Sequence, residues 1–415
     1  MSSSPSTPAS HGALSHIRVL DMSRVLAGPW CGQILADLGA EVIKIERPGS
    51  GDDTRAWGPP YLKDRDGHDT AESAYFLAAN RGKKSVTVDI ARPEGQALVR
   101  QLAAQCDVLL ENYKAGDLQR YGLGYDDLKT LNPGLIYCSI TGFGQTGPMR
   151  SVAGYDFIIQ GIGGLMSITG ERDDLPGGGP QKVGVAVADI TTGMYSTVAI
   201  LAALAHRTQT GEGQYIDMAL LDVQVAMIAN MNMNYLVSGK VPQRQGNAHA
   251  NIVPYQVFAA SDGELVLAIG NDSQFAKFCA AAGCALAQDP RFAKNADRVR
   301  NRAVLVPLLD DVLRGRTVAQ WVELLEPLGI PVGPINDLAH VFTHPQVRSR
   351  GMQIEVPHPL SGSVPLVASP IKMSATPVRP TSAPPMLGEH TDEVLRARLG
   401  LSAEELKELR ANGIV

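Results

Sequence analysis

The feature that most constrains this chain is a strand, helix, strand pattern that repeats along its first half. Ile17, Val19 and the Leu20-Asp21 pair alternate as a strand does, an amphipathic segment runs from Gly28 to Leu38 and is closed by Gly39, and Glu41 to Glu46 is strand-like again. Parallel strands joined by a helix in so short a stretch form a right-handed crossover unit. The theme continues. Ser85 to Ile90 reads as a strand, Pro93 opens a helix to Gln105 because its missing N–H is tolerated at the first helical position, and Asp107 to Glu111 and Leu135 to Thr141 read as strands. After a Gly-rich stretch from 150 to 190 come a helix from Ile190 to His206, a strand from Gln214 to Met218 and a helix from near Leu220. Such alternation predicts an α/β protein with an open, doubly wound parallel sheet.

From about Gly239 the character changes. Val257 to Ala260, the turn Ser261-Asp-Gly263 and Glu264 to Ile269 read as a hairpin, and helices are expected at Gln274 to Ala282, Arg302 to Leu313 and Val318 to Leu328. A second, smaller α+β domain is the natural reading. Pro359 to Pro385 looks like linker; Thr391 then caps a helix from Asp392, and Ser402 with Glu405 forms a capping box.

Composition removes whole classes. With 44% apolar and 19% charged residues the chain is globular rather than disordered or fibrous. Its net charge of -5 and its 37 scattered Lys and Arg argue against nucleic acid or a membrane surface as partner. The longest apolar run, Val198 to Ala205, falls far short of the roughly 20 residues of a membrane span. The 5 cysteines make no CxxC pair and no zinc-like cluster, so no metal site is expected and the thiols read as reduced, in a cytoplasmic protein. Met1 to His16 lacks the features of a signal or transit peptide and reads as a frayed tail.

Several familiar chemistries find no support. The first strand is followed by Ser23-Arg-Val-Leu-Ala-Gly-Pro-Trp30, with one glycine, so a dinucleotide fingerprint is absent. There is no phosphate-binding loop with Lys-Ser/Thr and no Gly-x-Ser-x-Gly elbow. His249 stands in a small polar loop, Gly246-Asn-Ala-His-Ala-Asn251, between the two expected domains, where ligand clefts are common. Asp189 lies among apolar residues in Val183-Gly-Val-Ala-Val-Ala-Asp-Ile-Thr-Thr-Gly193, where a strand-like run meets a helix start. An N-cap is the ordinary explanation for such an aspartate, and a partly dry catalytic carboxylate is the alternative.

Taken together, Leu20-Asp-Met-Ser-Arg-Val-Leu-Ala-Gly-Pro29, Leu38-Gly-Ala-Glu-Val-Ile-Lys-Ile-Glu-Arg-Pro-Gly-Ser-Gly-Asp52, Asn80-Arg-Gly-Lys-Lys-Ser85, Glu111-Asn-Tyr113, Ser139-Ile-Thr-Gly-Phe-Gly-Gln-Thr-Gly-Pro148, Gly154-Tyr-Asp156, Gly211-Glu-Gly-Gln214 and Gly388-Glu-His-Thr-Asp392 resemble the class III CoA-transferases, the formyl-CoA and carnitine CoA-transferase family. The resemblance implies a large domain built from both chain ends, a small inserted domain, and a homodimer of two interlocked rings. The expected division is a tail over 1–16, the large domain over 17–225, the small domain with linkers over 226–350, and linker plus the rest of the large domain over 351–415.

The same resemblance makes Asp189 the catalytic nucleophile, carrying an acyl group as a mixed anhydride and then CoA as an aspartyl thioester. Asn247, Ala248, His249 and Tyr155 would serve the substrate and the oxyanion, with coenzyme A and acyl-CoA as substrates and no tightly bound cofactor. Leu26, Ala27, Arg47, Asn80, Lys83, Asn112, Lys114, Arg120, Gly142 and Phe143 would hold CoA. Leu26 stands where formyl-CoA transferase has glutamine, which points away from formyl-CoA and oxalate and toward succinyl-CoA with dicarboxylates or sulfinate analogues. Two alternatives are an α-methylacyl-CoA racemase and a non-catalytic CoA-binding protein. Racemases of this fold carry Gly-His-Asp where this chain has Gly154-Tyr155-Asp156, and a tyrosine with an ordinary pKa near 10 is a poor substitute for imidazole.

Overall fold

Six short segments of alternating apolar residues build one parallel sheet: β1 (Arg18–Asp21), β2 (Glu41–Glu46), β3 (Lys83–Thr87), β4 (Val108–Glu111), β5 (Ile136–Thr141) and β6 (Tyr215–Ala219). Their spatial order is β3-β2-β1-β4-β5-β6, every neighbouring pair parallel. The order reverses between β1 and β4, the switch point outside which open α/β sheets hold ligands. The computed structural model describes residues 12–378 and 382–415. This sheet belongs to a unit made of residues up to Gly164, Gly184–Met233 and Pro345–Val415; Leu165–Val183 and Asn234–His344 form a second unit.

The helices of the first unit are α1 (Ala27–Asp37), α2 (Pro93–Ala103), α3 (Asp156–Ile162), α4 (Val187–Thr210), α5 (Leu220–Met227), α6 (Thr391–Leu399) and α7 (Ala403–Ala411). Successive strand side chains point to opposite faces, so the sheet has two cores. Val19, Val42, Val108, Leu110 and Ile136 pack on one face with residues of α1 and α4, while Leu20, Ile43, Leu109 and Tyr137 pack on the other with α2, α6 and α7. The C-terminal helices thereby join the N-terminal sheet. Gly193 lets α4 close on α1, since a Cβ there would stand 2.6 Å from the Ala27 carbonyl oxygen. Among the described residues α4 is the one helix long and apolar enough to cross a bilayer. One side of α4 lies in the second core, and its other side exposes Met194, Tyr195, Val198 and Leu201.

Beneath the switch point lie three buried ion clusters. Lys83 Nζ donates to Asp21 Oδ2 at 2.9 Å, to the Pro29 carbonyl at 2.9 Å and to Asn80 Oδ1 at 3.0 Å. Lys44 Nζ meets Asp52 Oδ2 at 2.9 Å and the Ser23 carbonyl at 2.7 Å, and Arg55 grips Glu46 through two bonds of 2.8 Å. Burial alone would raise the Asp52 carboxyl, but the Lys44 charge and the Thr54 N–H overcome it and hold it at about 2. These clusters correct the expectation for Lys83 and Asn80. Both are buried, with every Lys83 proton committed to the protein interior, so neither reaches a phosphate.

Other departures are local. The strand expected at Ser85 to Ile90 starts two residues earlier, at Lys83. Val183 to Val187 is not a strand. Thr391 is the first residue of α6 rather than its cap, and its hydroxyl accepts the Thr87 N–H at 3.0 Å, tying α6 to β3. The Ser402–Glu405 capping box is present. The segment read as linker begins with a hairpin, Gln353–His358 with Gly362–Val367. The expected tail lies outside the described residues up to position 11, whereas Leu14 is anchored through its N–H to the Leu38 carbonyl at 2.9 Å.

The second unit has a three-stranded sheet in which Tyr255–Ala259 and Glu264–Ala268 form the hairpin and Val332–Pro334 flanks it. Its core gathers Phe258, Leu265, Phe275, Phe278, Leu309 and Trp321. Residues 165–183, expected in the large domain, fold with this unit. Removing Lys83 tests the buried cluster. Lys83→Met should lower stability to urea by about 3–5 kcal/mol by leaving Asp21 unpaired, and adding Asp21→Asn should restore most of it; a single variant as stable as the parent would contradict this account.

Candidate active site

Asp189 is the third residue of α4, so it is not the helix cap. That position is filled from elsewhere: the Asp156 carboxylate, at the start of α3, accepts the Ala188 N–H at 2.8 Å and the Asp189 N–H at 3.4 Å, and is held in turn by Gln160 Nε2 at 2.6 Å. One aspartate satisfies the orphan amides of α4, which leaves the other free. Among the described residues no hydrogen bond reaches the Asp189 carboxylate. Burial first, and the neighbouring Asp156 charge second, push its pKa up to about 7. A helix N-terminus favours an anion, but here desolvation and like-charge repulsion win.

Asp189 borders a cleft of about 830 Å³ open to solvent. Its floor is the switch point: Arg24 to Ala27 follow β1, Asn112 to Ala115 follow β4, and Thr141 and Gly142 follow β5. Asn112 joins the first two loops by donating to the Arg24 carbonyl at 2.7 Å and accepting its N–H at 2.9 Å. Val25 adopts φ of 70°, a left-handed conformation unusual for a β-branched residue. Its N–H donates to Asp52 Oδ1 at 3.1 Å, which fixes this strained turn at the mouth of the cleft. Gly142 packs against Gly154, where an added Cβ would stand 2.6 Å from the facing Cα.

A second cleft, of about 1280 Å³, lies beside the first, and Arg24, Asp53 and Tyr113 border both. Arg24 pairs with Asp53 at 3.1 Å, with its guanidinium over the Tyr113 ring at 5.7 Å. Arg47 lines the second cleft, exposed, together with Asp117 and Tyr121. Arg120, also exposed, pairs with Asp117 at 2.5 Å.

The sequence-based candidates therefore separate. Leu26, Ala27, Asn112, Lys114, Gly142, Tyr155 and Asp189 share the first cleft, and Arg47 and Arg120 belong to the second or its edge. Phe143 is half-buried against the core instead of lining the first cleft. Asn247, Ala248 and His249 lie in the second unit. There the Ala248 N–H is committed to the Gln245 carbonyl at 3.0 Å, which removes it as a free oxyanion donor in this conformation. Asn247 is exposed, and the His249 ring accepts the Asn251 N–H at 3.0 Å through Nδ1 while packing against Tyr255. Sequence reasoning missed Asp156, Tyr75 and Arg150. Burial raises the Tyr75 phenol, and the Asp189 charge raises it further, which places Tyr75 within electrostatic reach of the carboxylate. Gly154-Tyr155-Asp156 ahead of the apolar Phe157-Ile158-Ile159 run was a readable helix start, but nothing in it told which helix the carboxylate would cap.

The chemistry open to such a group is nucleophilic. A desolvated carboxylate without hydrogen-bond donors is reactive toward an acyl carbon once ionised. Asp156→Asn keeps an acceptor for the Ala188 amide while removing the neighbouring charge. Titration of Asp189 by carboxyl-carbon NMR should place the parent near pH 7 and the variant lower, though still above an ordinary aspartate because burial remains; an unmoved value would show that Asp156 does not tune it.

Comparisons with known proteins bear on the family of the chain. The family described as CoA-transferase family III matches residues 14–391. A succinate–glutarate CoA-transferase of Agrobacterium fabrum is 52% identical over 92% of this chain and 94% of its own length. A succinyl-CoA:glutarate CoA-transferase of Homo sapiens is 42% identical over 97% of this chain and 90% of its own. Among solved structures, a CAIB/BAIF family protein from Brucella suis aligns with a TM-score of 0.81 at 50% identity, over 94% of this chain and all of that one. With sequence family, relatives and fold in accord, the chain belongs to CoA-transferase family III.

Proposed function

We propose that the enzyme moves CoA from succinyl-CoA to a dicarboxylic acid such as glutarate, with Asp189 as the covalent carrier. One observation carries the reading: an unsatisfied, desolvated carboxylate borders a cleft at the switch point of a doubly wound sheet. Asp189 attacks the thioester carbonyl and expels CoA thiolate, leaving an aspartyl–succinyl anhydride. The thiolate attacks the aspartyl carbonyl, succinate departs, and CoA stays as an aspartyl thioester. An acceptor carboxylate attacks that thioester, again expelling thiolate, which attacks the acceptor's carbonyl and regenerates Asp189. Each step exchanges one activated acyl group for another of similar energy, so neither ATP nor a metal is needed, and a hard exchange is split into easier ones.

CoA would lie across both clefts, its thiol end at Asp189 and its nucleotide end toward Arg47 and Arg120, whose guanidinium groups suit phosphate. A racemase would need a proton donor facing Asp189, and the corresponding side chain is Tyr155, 63% exposed. The dicarboxylate reading is supported by the names of the relatives. Asp189→Ala should abolish CoA transfer from succinyl-CoA while retaining CoA binding, and mass spectrometry of the parent with succinyl-CoA should find CoA on the peptide containing residue 189. Turnover by the variant would refute the nucleophile.

The enzyme is also proposed to be a homodimer of interlocked rings. Exposed Phe157, Ile158 and Ile162 on α3, Met194, Tyr195 and Val198 on α4, and Val225 on α5 are more apolar surface than a monomer ordinarily leaves in water. Light scattering after gel filtration should give twice the chain mass, with dissociation in urea coinciding with unfolding because threaded chains cannot part while folded. A monomer at micromolar concentration would overturn the proposal.

A further inference from the structure

Three cations line the first cleft, Arg24, Lys114 and Arg150, and their surroundings differ. Arg24 is paired with Asp53 and lies over Tyr113. Lys114 directly follows Tyr113, which borders both clefts, so it stands on the side where the long CoA molecule crosses from one to the other. Arg150 is an exposed residue that borders the first cleft alone, on the loop between β5 and α3 that also carries Tyr155 and leads into Asp156. Among the described residues it makes no ion pair.

A dicarboxylate bound for reaction at Asp189 keeps its second carboxylate inside that cleft, close to two aspartates that repel it. A cation off the CoA path must offset this charge, or the acid would bind less well than its uncharged analogue. Arginine suits the task, since its planar fork grips a carboxylate through two parallel hydrogen bonds and does not lose its charge near neutral pH. We infer that Arg150 is the residue that reads the remote carboxylate of the succinyl and dicarboxylate substrates, and so sets the preference for diacids over simple fatty acids. The inference rests on the CoA-transferase reading above. Val152 and Ala153, which also line the cleft, are apolar and suit the methylene chain between the two carboxylates.

Steady-state kinetics with Arg150→Gln and Arg150→Lys test it, using succinyl-CoA as donor, glutarate or pentanoate as acceptor, and calorimetry of free CoA. Losing a charge-assisted contact should lower kcat/KM for glutarate roughly 10- to 100-fold and leave pentanoate nearly unchanged. The affinity for free CoA should hold, and the lysine variant should recover part of the loss. Equal loss of glutarate and free CoA binding would make Arg150 a phosphate contact and overturn the inference, as would unchanged glutarate kinetics. If the parent enzyme transfers CoA to no dicarboxylate, the functional reading itself fails and takes the inference with it.

Discussion

The N-terminus of α4 can satisfy only so much negative charge, and Asp156 takes the capping position first. Its carboxylate accepts the amides of Ala188 and Asp189, so the dipole and the orphan N–H groups of the helix are spent on a residue from another segment. Asp189, one turn in, is left with a helix that no longer needs it, a buried setting and a like charge beside it. The unpartnered state of Asp189 follows from this division of labour between two aspartates 33 residues apart.

The sheet makes that arrangement possible. Reversal of strand order between β1 and β4 opens a gap above their carboxyl ends, and the loops leaving β1, β4 and β5 all enter it. Loops over a gap are held by side-chain bonds in place of ladder bonds. Asn112 clamps the β1 and β4 loops to each other, and Asp52, itself fixed by Lys44, holds the left-handed Val25. The buried ion clusters are thus the footing of the cleft. Their charges are satisfied within the protein, while Arg47, Lys114 and Arg150, which rim the clefts, make no ion pair among the described residues.

Much of the fold was legible because period-two and helical patterns leave direct traces in sequence: β2 and the helix Arg302–Leu313 have the bounds that alternation and periodicity predict. The second half of the hairpin at 353–367 was hidden because Pro365 lay in the proline-rich stretch read as linker, yet Pro357 and Pro365 both sit in the two-stranded ribbon. The site was less legible. A lysine has the same letter in sequence whether it stands exposed at a cleft or neutralises Asp21 in the core, and only burial separates Lys83 from Lys114. Likewise an aspartate near a helix start could be the cap or a free carboxylate, and the reason Asp189 is not the cap lies at position 156, where local pattern cannot see it.

A buried carboxylate without a partner works against the fold that carries it. Because the pKa of Asp189 is about 7 when folded and near 3.8 in its ordinary state, the folded protein holds the proton more tightly, and stability is lost as pH rises through that window. By the usual conversion this amounts to as much as about 4 kcal/mol above neutrality. An arginine beside Asp189 would remove the penalty, but it would also stabilise the anion and dull its attack on an acyl carbon. The exchange proposed for it asks for the opposite balance: a nucleophile no better solvated than the substrate carboxylates it would trade places with, so that neither anhydride nor thioester becomes a resting state. Among the described residues Asp189 has no counter-ion, unlike the buried Asp21, Asp37, Glu46 and Asp52, each of which pairs with a lysine or arginine, and that contrast is what the proposed nucleophile requires.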